Sequence, residues 1–227
     1  NLVPDADAVV AAKVAATAST WLRFDRDFSV PKARLHGWGQ RLTYADKDGE
    51  LTDIDIPLVG DYQQRNMAIA IQTAKVYASA TNWPLKSQEI RQGLAASRWP
   101  ARLEKLSDEP LIVIDGAHNP DGIKGLIAAL HQLFKQPVTV IAGILADKDY
   151  HTMADALTKA FHTVYLVPVP GNARALPEAG YAALHEGQLK DSWQEAMAAS
   201  LADDPDQPII LTGSLYLAAD VRQTLRA

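Results

Sequence analysis

The chain has 227 residues, of which 48% are hydrophobic and 22% are charged, enough for a packed core in one large or two modest domains. Its 22 Lys and Arg against 27 Asp and Glu give a formal net charge of −5, which argues against a nucleic-acid surface because such a surface needs a basic excess. Cysteine is absent, which excludes disulfides, thiolate nucleophiles and cysteine-based zinc sites, and the apolar runs are far shorter than the roughly 20 residues that span a membrane.

The first hundred residues carry patterns of both helix and strand. An Ala-rich stretch over residues 5–20 places apolar side chains at helical spacing and predicts an amphipathic helix. Apolar and polar residues alternate at 42–44 and again at 54–56, on either side of the turn-forming residues 45–50, and this pattern predicts a β-hairpin. Two further helices are predicted, one from about residue 62 to 79 and one over residues 87–94.

From Pro110 onward, short apolar runs alternate with helical stretches. The predicted strands are Leu111–Asp115, Val138–Ala142, Val164–Val167 and Ile209–Leu211. The predicted helices are Pro120–Leu133, Tyr150–Phe161, Pro177–Leu184, Ser192–Leu201 and Leu215–Leu225. Because near-continuous apolar strands in βα repeats are typical of parallel sheets covered by helices on both faces, this half is predicted to be a mostly parallel α/β domain.

A segment without periodicity separates the two halves. It runs Arg98-Trp99-Pro100-Ala101-Arg102-Leu103-Glu104 and contains a helix-breaking proline. The sequence therefore predicts two domains, over residues 1–98 and 106–227, joined by a linker over residues 99–105.

Polar residues collect where the predicted strands of the second half end. The carboxyl ends of parallel strands share one edge of the sheet, and open α/β sheets bind their ligands at that edge. The segment Ile114–Pro120 brings Asp115 and His118 there beside a helix N-terminus, a combination that can handle a phosphate, a ribose or a metal-bound water. The alternative is that Asp115 only hydrogen-bonds the turn and His118 only caps it.

Three further segments reach the same edge. They are Gly143–Asp149, Pro168–Ala175 and Thr212–Leu215. The second carries Arg174, which suits a carboxylate ligand but equally a surface salt bridge, and the third suits either an anion or a helix cap. Each signal is weak alone, and their convergence on one edge is what points to a binding site.

Several catalytic signatures are absent from the sequence. It contains no phosphate-binding G-x-x-x-x-G-K-[ST] loop, no dinucleotide-binding G-x-G-x-x-G and no G-x-S-x-G nucleophile elbow. No two histidines stand four residues apart, which excludes a helical two-histidine zinc site. Nicotinamide-dependent oxidoreductases and α/β-hydrolases therefore lose their main support.

Three runs of sequence carry a family resemblance. A P-x-R-x-E pattern in Arg98–Glu104 precedes the string Asp115-Gly116-Ala117-His118-Asn119-Pro120, and upstream Leu58–Ala70 combines a Gly, a Gln and an Asn at the opening of a helix. In these runs the chain resembles the folylpolyglutamate synthase/dihydrofolate synthase family, a group of ATP-dependent amide ligases related to the Mur peptidoglycan ligases. The resemblance covers essentially the whole chain and is greatest to the lactobacillus type of folylpolyglutamate synthase.

This resemblance implies that the chain corresponds to the C-terminal half of such a ligase. The implied fold is α/β, with the end of a central ATPase domain over residues 1–98 followed by a Rossmann-like, mostly parallel C-terminal domain. It also implies that the phosphate loop and the Mg²⁺ ligands precede Asn1. We therefore expect no metal ligands in this chain, and we expect it to be inactive alone.

The resemblance implies five site residues. Asn66 corresponds to the residue that binds the adenine end of ATP, Arg102 to the one that reaches its phosphates, and Asp115 to an aspartate that contacts ATP. His118 corresponds to a histidine of the catalytic site, so that Arg102, Asp115 and His118 form the implied catalytic set. Ser214, in the final Gly-Ser turn, corresponds to the side of the incoming glutamate.

The implied reaction is the ATP-dependent addition of L-glutamate to reduced folates, through phosphorylation of the folate carboxylate to an acyl phosphate and attack by the glutamate amine. ATP, Mg²⁺, L-glutamate and a reduced folate are the implied cofactors and partners of a monomeric, cytoplasmic enzyme of one-carbon metabolism, without nucleic acid or membrane. The alternative is a non-catalytic Rossmann-like domain that binds a ligand or a partner, because a fold never fixes a function. For Arg102 alone, the alternative is a surface salt bridge to Glu104 or Asp108.

Overall fold

The computed structural model describes residues 4–177, 180–181 and 188–226. The chain divides into two compact units, Asn1–Arg98 and Trp99–Ala227. Within the described ranges, every helix is too short or too polar to cross a membrane.

The first unit is built on a three-stranded antiparallel sheet. Its strands are β1 (Phe28–Leu35), β2 (Gln40–Asp46) and β3 (Gly49–Ile56), paired in that order. The predicted hairpin is β2–β3, whereas β1 was not predicted. Because β1 is an edge strand that exposes its last five residues, it lacks the apolar alternation by which a half-buried strand is found.

Helices complete the first unit. They are α1 (Pro4–Thr17), α2 (Asp61–Thr81) and α3 (Ser87–Ala95). Helix α2 packs its apolar face on the sheet, and the core combines Phe28, Leu42, Tyr44, Ile54, Ile56, Met67, Ala68 and Ile71. Helix α1 is present where a helix was predicted, but none of its residues is buried in the described structure.

The second unit is a parallel sheet with one antiparallel edge strand. Its strands are β4 (Glu104–Asp108), β5 (Leu111–Ile114), β6 (Thr139–Ala142), β7 (Thr163–Leu166), β8 (Gln188–Leu189) and β9 (Ile209–Thr212). Its helices are α4 (Pro120–Leu133), α5 (Tyr150–Ala160), α6 (Trp193–Asp203) and α7 (Leu215–Arg226). The strands follow the order β4-β5-β9-β6-β7-β8, with β4 antiparallel to β5 and the other neighbours parallel. The predicted mostly parallel α/β fold is confirmed.

The position of β9 matters most for the site. This last strand lies between β5 and β6, so the turn after β9 reaches the sheet edge beside the loop after β5. All four residues of β6 and of β9 are buried, as expected of central strands covered on both faces. The core around them includes Ile112, Ile114, Ile141, Trp193, Leu211 and Leu217.

Residues 99–105, predicted as a linker, lie in the second unit. Ala101 and Leu103 are 7% and 2% exposed, and Glu104 begins β4. The apolar signal in this segment is too short and irregular to be recognised as part of a domain, because its two buried residues flank Arg102. The predicted helix Pro177–Leu184 falls largely outside the described residues.

Candidate functional site

The loops that follow β5, β9 and β6 lie side by side at the carboxyl edge of the parallel sheet. The N–H of Asp115 donates to the carbonyl of Leu211 at 2.9 Å, and the N–H of Gly143 donates to the carbonyl of Thr212 at 3.0 Å. These bonds continue the sheet ladder just past the ends of the strands. The segments that the sequence analysis assigned to one edge are therefore neighbours.

Asp115 is buried at this edge and bonded to the backbone. The residue is 4% exposed, and its oxygens accept bonds from the N–H groups of Ala117 at 2.8 Å and Leu103 at 2.9 Å. Burial raises the pKa of Asp115 above its ordinary value, while these two bonds and the nearby Arg102 and His118 oppose the rise. Asp115 thus stabilises its turn, and each carboxylate oxygen keeps a second lone pair for a ligand.

Arg102 lies in a loop whose backbone is left-handed on both sides. The φ angles of Ala101 and Leu103 are 53° and 45°. Residues other than glycine adopt such conformations at a cost on the order of 1–3 kcal/mol and keep them only where the surroundings hold them, often at functional sites. Here the carbonyl of Ala101 accepts bonds from the N–H of Gly116 at 2.8 Å and from Nη1 of Arg102 at 2.9 Å.

The guanidinium of Arg102 has no ion-pair partner among the residues that the structure describes. The carboxylates proposed for a surface salt bridge are engaged elsewhere, because Glu104 pairs with Arg222 and Arg226, and Asp108 pairs with Lys105. A half-buried cation that makes no ion pair with a described residue is suited to an anionic ligand.

Gly116 is the point where three segments meet. A Cβ atom at this position would lie 2.3 Å from Cδ2 of Leu215, 2.7 Å from Nη1 of Arg102 and 3.2 Å from the carbonyl oxygen of Ala101. With the Arg102 and Leu215 side chains in these positions, only glycine fits between the Arg102 loop and the turn after β9. The structure therefore brings together Arg102, Asp115, His118 and the turn that contains Ser214.

The orientation of His118 follows from one hydrogen bond. Its Nδ1 lies 2.9 Å from the carbonyl oxygen of Gly116, and because a carbonyl only accepts, Nδ1 carries the proton. In the neutral ring, Nε2 then holds the lone pair and is the atom that can accept a proton from a ligand.

The N-terminus of α4 offers less to an anion than the sequence suggested. Asn119 accepts a bond from the N–H of Gly122 at 2.7 Å, and Pro120 at the first helical position has no N–H. Asp121 adds a negative charge in the first turn. The positive charge near Asp115 therefore comes from Arg102 rather than from the helix end.

Ser214 caps α7. Its Oγ accepts a bond from the N–H of Tyr216 at 3.1 Å, its carbonyl accepts from Ala218 at 3.1 Å, and the residue is 1% exposed. The helix-cap alternative is the one that the structure supports directly. The hydroxyl still has a proton to donate, so the contact with glutamate stays a prediction.

Arg174 forms a second cationic group at this edge. Its Nη1 pairs with Asp147 at 3.1 Å, and its Nη2 donates to the Tyr216 hydroxyl at 3.1 Å. The salt-bridge alternative is therefore realised for Arg174.

Asn66 belongs to the first unit and is exposed on α2, where its Nδ2 donates to Oε1 of Gln63 at 3.2 Å. The segment before it is well ordered by Gln40, whose Nε2 donates to the carbonyls of Leu58 at 3.1 Å and Gly60 at 3.0 Å. The loop that opens α2 is thus fixed, and the Asn66 amide keeps capacity for a ligand.

The described residues contain no cluster of three or more His, Asp or Glu side chains that could hold a metal ion.

Glu104 has a structural role that its sequence position does not predict, since the sequence suggests only a surface salt bridge to Arg102. The side chain accepts a bond from the N–H of Ala101 and is paired with two arginines of α7, more than a hundred residues away in sequence. The sequence offers only one signal for this role, the position of Glu104 two residues after Arg102. The left-handed conformation of Ala101, which Glu104 helps to hold, and that of Leu103 have no signature in the local sequence.

Residues 101–215, just over half of the chain, match the family described as Mur ligase, glutamate ligase domain. The chain belongs to this family. The chain is 80% identical to the folylpolyglutamate synthase of Lacticaseibacillus casei. The match covers 99% of this chain and 53% of that enzyme.

Solved structures of Mur ligase relatives agree with this assignment. An FPGS–AMPPCP–folate complex matches all of the chain with a TM-score of 0.89 and 74% identity, and 52% of that protein is covered. The Mycobacterium tuberculosis folylpolyglutamate synthase complexed with ADP also matches all of the chain with a TM-score of 0.89, at 26% identity, and 54% of it is covered. The chain spans about half the length of these relatives.

Proposed function

We propose that the chain is the C-terminal half of a folylpolyglutamate synthase, which joins L-glutamate to a reduced folate with conversion of ATP to ADP and phosphate. The observation that carries the proposal is Arg102, held at the ligand-binding edge without an ion-pair partner among the described residues. The 80% identity to the L. casei enzyme supports it, and so do the relatives named as complexes with AMPPCP, folate or ADP.

Each site residue has a role in this proposal. Arg102 stabilises the negative charge of the phosphoryl group during transfer, because a positioned cation acts most strongly where charge develops. Asp115 orients the Arg102 loop and contacts ATP through its remaining lone pairs, and Asn66 binds the adenine end. Ser214 lies on the glutamate side, at the turn that opens α7.

The proposed chemistry has two steps. A folate carboxylate oxygen attacks the γ-phosphorus of ATP, which forms an acyl phosphate and releases ADP. The α-ammonium of glutamate then loses a proton to Nε2 of His118, and the resulting amine attacks the acyl carbon. An amide bond forms, the carbon–oxygen bond to phosphate breaks, and the second proton of the attacking amine leaves with the phosphate as hydrogen phosphate.

The proposal extends to the organisation of the enzyme. Residues 1–98 are the end of the ATPase domain, and residues 106–227 are the C-terminal ligase domain. The presence of residues 99–105 in the same compact unit as residues 106–227 supports adding them to the ligase domain. The Mg²⁺ that accompanies ATP is held by the part that precedes this chain in the relatives. The full enzyme is monomeric, cytoplasmic and part of one-carbon metabolism, as the sequence resemblance implies.

A chimera tests the function. This chain replaces the corresponding C-terminal half of L. casei folylpolyglutamate synthase, and the protein is supplied with ATP, Mg²⁺, L-glutamate and tetrahydrofolate. We expect mass spectrometry to detect folate with one added glutamyl residue in reactions that contain ATP. We expect the isolated chain, assayed in parallel, to form none.

Two outcomes would contradict this proposal. An inactive chimera, beside an active intact L. casei enzyme, would favour the non-catalytic ligand-binding domain. Amide formation by the isolated chain would show that the expected dependence on the preceding half is wrong.

A further inference from the structure

The Glu104 carboxylate joins two distant parts of the second unit. Its Oε2 accepts a bond from the N–H of Ala101 at 2.9 Å. Its Oε1 lies 3.0 Å from Nε of Arg222 and 2.8 Å from Nη2 of Arg226. The Glu104 side chain is only 14% exposed, so the carboxylate is a mostly buried anchor between the start of β4 and the end of α7.

The partners of Glu104 are placed to hold it firmly. Arg222 and Arg226 lie one turn apart near the end of α7, and Arg226 is in the last turn, where the helix dipole favours a cation. Bonds between an arginine and a carboxylate are charge-assisted, and they are shorter and stronger than neutral hydrogen bonds. Glu104 is therefore fixed by α7 independently of the loop that it contacts.

Glu104 fixes the N–H side of Ala101, the residue whose carbonyl accepts a bond from the guanidinium of Arg102. Ala101 is left-handed, with its N–H bonded to Glu104 and its carbonyl bonded to Gly116 and to Arg102 itself. An alanine without such support returns to a right-handed or extended conformation, because the left-handed region is unfavourable for a residue with a Cβ atom. That rotation would turn the carbonyl of Ala101 and displace the guanidinium bonded to it.

We propose that Glu104 is a positioning residue, which holds the guanidinium of Arg102 at the sheet edge by clamping the left-handed peptide of Ala101 to helix α7. This role for Glu104 rests on the proposed function, in which Arg102 stabilises the transferring phosphoryl group. Asp115 clamps the other side of the same loop through the N–H of Leu103, but its own place in the ligand site prevents a clean test. Glu104 and its partners on α7 allow one.

Kinetics of the chimera test the positioning role. We expect Glu104→Ala to lower kcat by on the order of 10- to 100-fold, since small misplacements of a charge-stabilising group have effects of this size. The KM for glutamate should stay within about twofold, because only transition-state stabilisation is lost. Glu104→Gln should recover only part of kcat, because its amide oxygen can still accept the bond from Ala101 while its NH₂ group cannot accept from Arg222 and Arg226.

Asp108→Ala is the matched control. It removes a carboxylate from the same strand and breaks an ion pair with Lys105, but it does not touch the Ala101 peptide. We expect kcat of this variant to stay within about twofold of wild type. An equal loss of kcat in Asp108→Ala and Glu104→Ala would overturn the proposal.

A double-mutant cycle decides whether Glu104 acts through Arg102. In an Arg102→Ala background, we expect Glu104→Ala to change kcat by less than about twofold, because residues that act as a unit are not additive. The same loss of kcat with and without Arg102 would assign Glu104 a separate role and overturn the proposal.

Amide hydrogen exchange gives a readout without activity. In the isolated chain, we expect the N–H of Ala101 to lose protection in Glu104→Ala, to keep part of it in Glu104→Gln and to keep all of it in Asp108→Ala. Unchanged protection in Glu104→Ala would overturn the clamp. A wild-type chimera without ligase activity would instead overturn the proposed function, and normal kcat in Glu104→Ala beside an active wild type would overturn the positioning role alone.

Discussion

Removal of the Arg102 side chain should cost little stability, because this half-buried side chain makes one backbone hydrogen bond and no ion pair with the described residues. We expect Arg102→Ala in the chimera to lower kcat by on the order of 10²–10³-fold, as is typical when one charge-stabilising donor is lost. The melting temperature should change by only a few degrees. Arg102→Lys should restore part of kcat, since a point charge does not reproduce the planar guanidinium.

Steady-state kinetics and thermal melting of both variants check this prediction. A kcat equal to that of wild type in Arg102→Ala would show that the guanidinium of Arg102 has no role in catalysis.

The buried carboxyl of Asp115 predicts a pH dependence of stability. Burial raises its pKa in the folded chain above the ordinary value of 3.8, so the folded state holds the proton more tightly than the unfolded state does. This contribution to the free energy of unfolding is complete below the unfolded pKa and is lost as pH rises through the raised folded pKa. As pH rises through this window, we expect the free energy of unfolding of wild type to fall relative to that of Asp115→Asn, whose side chain does not titrate.

Urea unfolding of the two proteins between about pH 4 and 7 measures the difference. We expect Asp115→Asn to have a lower free energy of unfolding than wild type at low pH. In wild type each carboxyl oxygen accepts a bond from a backbone N–H, whereas in the variant one of these N–H groups faces the NH₂ group of asparagine, which cannot accept. Parallel stability curves for the two proteins would contradict the raised pKa.

The β5 loop, the Arg102 loop and the turn before α7 depend on one glycine for their approach. We expect Gly116→Ala to displace Arg102 and Leu215, because the new methyl group would lie 2.7 Å and 2.3 Å from their atoms. The chimera should lose activity, and its free energy of unfolding should fall by about 1–3 kcal/mol, the usual cost of overpacking.

Gly93→Ala is the control for this substitution. Gly93 lies within α3 with no atom within 4 Å of its added methyl group, so the change should raise stability by roughly 0.5–1 kcal/mol. Urea unfolding and ligase assays of both variants measure the contrast. Full activity in Gly116→Ala would show that the three segments do not need their close approach.

For the molecule as a whole, each unit has its own core, so the second should fold without the first. We expect residues 99–227, expressed alone, to melt cooperatively. Residues 106–227, cut at the predicted domain boundary, should melt several degrees lower, because they lack the buried Ala101 and Leu103 and leave Arg222 without Glu104. Calorimetry of the two fragments checks this, and equal melting temperatures would contradict it.

Sequence patterns were sufficient for the elements whose burial is uniform. Strands β5, β6, β7 and β9 are short runs of mostly buried apolar residues, and helices α4 and α5 have apolar stripes and recognisable N-caps at Asn119 and Asp149. The sequence does not predict β1, β4 and β8, because β1 and β8 expose most of their length, β4 is only partly buried, and none of them carries a regular alternation.

The identities of the polar residues at the carboxyl edge follow from local sequence, since a residue after a buried parallel strand reaches that edge whatever the order of the strands. Asp115 and His118 were found in this way. The insertion of β9 beside β5 and the bonds from Leu103 to Asp115 and from Ala101 to Glu104 depend on long-range packing. Left-handed alanine and leucine are unfavourable locally, so only groups brought together by the folded chain hold them in place.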